Sequence, residues 1–116
     1  MNARRALKPG GTMFWACKCP EGGGAPDYFS WLKPLQEGHL DASLRADFTI
    51  GGYIFFLTVE QLNKAAHVYT LTELDPEMVK PMGMEAGRDA AELIGKIDFT
   101  GKRVYVLPLA GSVVPV

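Results

Sequence analysis

The run Tyr53-Ile54-Phe55-Phe56-Leu57 sets five large apolar side chains in succession with no polar interruption. Such a segment is stable only when both of its sides are kept from water, since burying one side chain of this size is worth about 1.5–3 kcal/mol. As a strand it is the centre of a sheet covered on both faces. Gly51-Gly52 ahead of it is a tight-turn pair. Before that, Ala42 to Ile50 alternates Leu44, Ala46, Phe48 and Ile50 against Ser43, Arg45, Asp47 and Thr49. This period of two predicts a strand with one wet face, and the two runs together predict an antiparallel hairpin.

The flanking segments extend the pattern. Thr12 to Cys19, rich in aromatic and apolar residues, predicts a first strand stopped by Pro20, with a glycine-rich loop after it. Asp27 is placed to cap a helix carrying Tyr28, Trp31, Leu32 and Leu35, which Pro34 limits. Thr58 and Gln61 have the spacing of a capping box for a helix from Val59 to about Ala66. Val68 to Leu74 fits a strand or an extension of that helix, and its β-branched and aromatic content favours strand. Met78 to Met84, broken by Pro81 and Gly83, predicts an irregular edge strand or loop. Glu85 to Ile94 predicts a helix ended by Gly95, Arg103 to Leu107 a last strand, and Ser112 to Val116 an apolar tail.

The order strand, helix, strand, strand, helix, strand is that of an α+β ferredoxin-like antiparallel sheet with helices on one face. Over Thr12 to Met84 this layout resembles the dimeric α/β-barrel proteins, with a C-terminal helix-strand extension added. That group holds small-ligand binders and cofactor-independent oxygenases and isomerases. The resemblance implies that a second copy covers the bare sheet face, so the partner expected is a homodimer mate, alongside a small apolar ligand.

Length and charge bound the rest. At 116 residues the chain suits one α+β domain over residues 12–116, preceded by a basic, flexible lead-in over 1–11 whose true start is Met1 or Met13. A net charge of -1 gives no field to attract nucleic acid or an anionic membrane, and no stretch approaches the roughly 20 apolar residues that span a bilayer. Arg4-Arg5 begins like a twin-arginine export signal, but Lys8-Pro9-Gly10-Gly11 interrupts where an apolar run is needed. The expected setting is the cytoplasm, with Cys17 and Cys19 as free thiols on one strand face.

Chemistry-bearing residues are sparse. Trp15, Trp31, Tyr53 and Phe55 are the candidates to line an apolar ligand pocket, and the competing role for each is the core. His67 is the first candidate for a general base, with His39 as the alternative and Asp47 or Glu73 as orienting carboxylate. Cys17, Cys19, His39 and His67 form a notional zinc set, but their spacing lacks paired ligand knuckles, so neither a metal nor a cofactor is expected. Gly22-Gly23-Gly24 lacks the lysine and hydroxyl of a phosphate-binding loop and is expected to be a connector. Lys8-Pro9-Gly10-Gly11 resembles the turn before a late strand of methyltransferases that use S-adenosylmethionine, although no cofactor-binding glycine loop accompanies it. Met78, Met82 and Met84 fit either an adaptable surface patch or a gap-filling role.

Overall fold

A computed structural model describes Arg5, residues 7–20, Gly22, residues 24–65 and residues 67–108. Three strands, β1 (Thr12–Ala16), β2 (His67–Leu71) and β3 (Glu85–Gly87), form one sheet in the order β1-β2-β3. Both pairings are parallel, Thr12 facing His67 and Tyr69 facing Glu85 in register. Between β1 and β2 lie a 3-10 turn (Tyr28–Trp31), α1 (Leu32–Gln36), α2 (Leu40–Ala46) and α3 (Ile50–Leu62). A short helix, α4 (Pro76–Val79), and a 3-10 turn (Lys80–Met82) join β2 to β3, and α5 (Ala90–Gly95) follows.

The predicted ferredoxin-like antiparallel sheet is therefore overturned, and the layout shared with dimeric α/β-barrels falls with it. The reason lies at residues 42–57. Ala42 to Ala46 is part of α2, where Leu40 and Leu44 are buried one turn apart, and Tyr53 to Leu57 lies inside α3. An uninterrupted apolar run has no period, so it fits a strand or a helix enclosed on all sides equally well. Thr49 decides between them. Its backbone is extended, and its hydroxyl accepts from the Gly52 amide at 2.9 Å, the geometry of a helix N-cap. Gly51 and Gly52 are then first-turn residues of α3, and the Thr58 to Gln61 box falls in its interior.

Other boundaries shift for local reasons. Asp27 makes no side-chain capping bond to the turn that follows it, and Pro34 lies inside α1. Met78 to Met84 is helical at its start, and Val79, Met82 and Met84 are core residues, so two of the three methionines fill gaps. Glu85 opens β3, and the helix begins only where the Asp89 carboxylate accepts from the Ala91 and Glu92 amides. Thr12 to Cys19 is a strand as far as Ala16, and Val68 to Leu71 falls in β2. Arg103 to Leu107 forms no regular element. The tail Ser112 to Val116 and residues 1–4 lie outside the described residues. Among those described, no helix is long and apolar enough to cross a membrane.

The core sits between one sheet face and α3. Met13 beside Val68, and Trp15 beside Thr70, share that face through the β1–β2 register. Phe55, Val59 and Leu62 pack from α3, and Tyr28 and Trp31 close the side. Phe55 is fully buried and meets the Tyr28 ring edge-on at 5.2 Å. On the opposite face, α5 covers β2 and β3 through the buried Leu93.

Candidate functional site

None of the four aromatic residues expected to line a pocket contributes to the cleft described below. Trp31 and Phe55 are core residues, and Trp15 is half-buried with its indole N–H donating to the Thr70 hydroxyl. Tyr53 points outward from α3 beside Phe48, ring centroids 5.8 Å apart. The candidate acid-base residues are likewise dispersed. His39 and Asp47 flank α2 at its two caps, whereas His67 begins β2. Among the described residues no hydrogen bond joins any two of them. His39 is instead held by Ser43 at 2.7 Å and Glu37 at 2.7 Å, an array that clamps the entry to α2. Of the notional zinc set only Cys17 and Cys19 lie together, away from His39 and His67, and among the described residues no group of three or more potential ligands comes together.

A shallow cleft of about 420 Å³ lies between the starts of β2 and β3 and the α4 crossover. His67, Tyr69, Glu77, Lys80, Met84 and Glu85 contribute to its wall, and His67 stacks on Tyr69 with centroids 6.2 Å apart. Glu85 pairs with Lys96, and that bond holds the Lys96 ammonium above its usual range. The wall mixes apolar Val68, Pro76 and Met84 with these polar groups, and its position is unfavourable. Open parallel sheets bind ligands at the carboxyl ends of their strands, and this cleft is at the amino ends.

At the carboxyl ends, the segment after β1 meets the segment after β2. The Cys17 amide donates to the Leu71 carbonyl at 2.9 Å and the Glu73 amide to the Lys18 carbonyl at 3.3 Å. Lys18 also pairs with Glu73 at 3.5 Å. Cys17 and Cys19 both lie beyond the end of β1, so they do not share a strand face as their spacing suggested. Cys19 has φ +49, a left-handed conformation uncommon outside glycine, and this bend brings the two Sγ atoms to 3.0 Å. Both are free and half-buried. Burial, reinforced by the contact with Cys17, pushes the Cys19 thiol up to about 11. The buried Tyr28 hydroxyl lies close by and is also raised, chiefly by burial.

The outer side of α3 is the other conspicuous surface. Ile50, Tyr53, Ile54 and Leu57 recur at the spacing of one helix face, and all are exposed, Ile50 at 73% and Ile54 at 46%. Phe48 extends this ridge at its N-terminal end. The inner side of the helix carries Gly51, Gly52, Phe55, Val59 and Leu62, so from Ile50 to Leu57 α3 is apolar around its circumference while only half of it is covered, and Thr58, Glu60 and Gln61 follow in its last turn. Its start is fixed by Asp27, whose carboxylate accepts from the Thr49 hydroxyl and from the Trp31 indole N–H at 3.0 Å. The Thr49 bond, then the Trp31 bond, hold this carboxyl below the usual aspartate range.

Sequence reasoning anticipated a bare apolar side on the Tyr53 to Leu57 run but placed it on a sheet. The thiol contact was missed, and the signal for it was weak: a cysteine before Pro20 and a glycine-rich loop mark a chain bend, not its hand. No known family model, curated protein or solved structure shows a significant match to the chain.

Proposed function

We propose that this chain is an assembly module that pairs with a second copy of itself through the outer face of α3. The observation that carries it is the ridge Ile50, Tyr53, Ile54 and Leu57 with Phe48, four helical positions on one face and one flanking residue, all large, apolar and exposed. A contiguous patch of that kind on a small domain marks an interaction surface. Self-pairing suits its ends. An antiparallel arrangement centred between Ile54 and Leu57 brings exposed Asp47 of one copy toward exposed Lys64 of the other. The cleft near His67 supports a small-ligand or enzymatic role less well, because no hydrogen bond orients His67 among the described residues and the cleft lies at the amino ends of the strands.

Sedimentation velocity over a concentration series tests the pairing. The wild-type chain is expected to shift from monomer to dimer as concentration rises, and Ile54→Asp is expected to remain monomeric with an unchanged far-UV circular dichroism spectrum. A wild-type chain that stays monomeric throughout, or an Ile54→Asp variant that dimerises as strongly, overturns it.

A further inference from the structure

We propose that Cys17 and Cys19 form an exchangeable dithiol that closes into an intramolecular disulfide on meeting a small-molecule disulfide of the glutathione class. Residues two apart on an extended strand hold their side chains parallel and apart. Here the left-handed Cys19 backbone turns the chain and converges the two sulfurs to 3.0 Å. The convergence is preorganised, because the amides of Cys17 and Glu73 tie both sides of Lys18 to the end of β2. Both thiols are half-buried, so a small disulfide can reach them while they remain screened from a second protein chain. Ordered neighbours of this kind favour ring closure over an intermolecular bond, since the entropy of bringing the sulfurs together is already spent in the fold.

The chemistry balances in two exchanges. Cys19 donates its S–H hydrogen bond to Cys17, which makes Cys17 the receiving sulfur and the first nucleophile. The Cys17 thiolate attacks one sulfur of the external disulfide, whose S–S bond breaks and releases one small thiolate that takes up a proton. Capping Cys17 removes the negative charge beside Cys19, which contributes to the elevation of its thiol. Cys19 then loses its proton to water and attacks the Cys17 sulfur, forming the Cys17–Cys19 bond and expelling the second small thiol. The two protein thiols are oxidised by two electrons, and the external disulfide is reduced to two thiols.

Intact-mass spectrometry of the fully reduced chain mixed with oxidised glutathione tests this. The expected product has lost the mass of two hydrogens, carries no adduct, and has no thiol that reacts with Ellman's reagent. Cys19→Ser is expected to stop at a stable glutathione adduct on Cys17. If the wild-type chain keeps two titratable thiols, retains glutathione, or forms disulfide-linked dimers, the proposal fails, and that readout needs no variant to fold.

Discussion

The Asp27 carboxylate ties together parts of the chain that are distant in sequence. One of its oxygens accepts from Trp31 in the 3-10 turn and from Thr49 at the start of α3, and Thr49 in turn receives the Gly52 amide. The ionised form is therefore favoured in the folded chain, which lowers its pKa from the usual 3.8. A depressed folded pKa adds stability that is complete above the unfolded value and is lost as pH falls through the folded one. The wild-type urea midpoint should accordingly fall more steeply than that of Asp27→Asn as pH drops from about 4 to about 2. Parallel slopes for the two proteins in that window would show that the charge on Asp27 contributes nothing. His39 is a residue of another kind. Its two hydrogen bonds lie within one turn of sequence, so they order the chain locally and leave no free nitrogen for a substrate.

At the scale of elements, α3 depends on the absence of side chains at its first turn. A Cβ added at Gly52 would fall within 3.0 Å of three Trp31 ring atoms, and one at Gly51 would meet the Asp27 carboxylate as closely. Gly52→Ala is expected to destabilise the chain by about 1–3 kcal/mol, the usual cost of overpacking, despite alanine's higher helix propensity. Equilibrium urea unfolding reads this directly, and a more stable Gly52→Ala would show that the contact is slack. The same glycines explain why this helix was hard to read in the sequence. Two adjacent glycines signal a turn, and only the three-dimensional neighbours Trp31 and Asp27 reveal them as a packing requirement. β1 was legible because Thr12 to Ala16 is aromatic and bounded by Gly11 and Pro20. α5 was legible from the spacing of Ala90, Ala91 and Ile94 ahead of Gly95, but the face it buries is that of Leu93 and not Ile94, and its start required the Asp89 cap to be recognised. Strand direction was not legible, since pairing between Thr12 and His67 is a long-range choice on which local pattern is silent.

Across the whole molecule, the three parallel strands gather the segments that follow them on one rim, which is why Cys17 and Lys18 meet Leu71, Thr72 and Glu73 although α2 and α3 separate them in sequence. Beyond α5 the architecture thins out. Residues 97–108 form no regular element and are mostly exposed, and the radius of gyration of 14.7 Å exceeds the value of about 13.4 Å expected for this length. Opening of such a stretch costs little compared with global unfolding. Brief tryptic digestion should therefore cut at Lys102 and Arg103 before exposed Arg45 in α2, leaving a fragment with native circular dichroism. Earlier cleavage at Arg45 would reverse that ranking. A final consequence concerns how the molecule chooses what it shows to its surroundings. Over Ile50 to Leu57 the helix is greasy on every side and gains little from the hydrophobic effect by turning one flank inward rather than another, so these first two turns set no rotation of α3 about its axis. Its setting comes from a notch, the two glycine hydrogens that let Trp31 and Asp27 approach on one side only. The outward display of Ile50, Tyr53, Ile54 and Leu57 is thus dictated by two of the smallest residues in the chain, on the opposite flank of the helix.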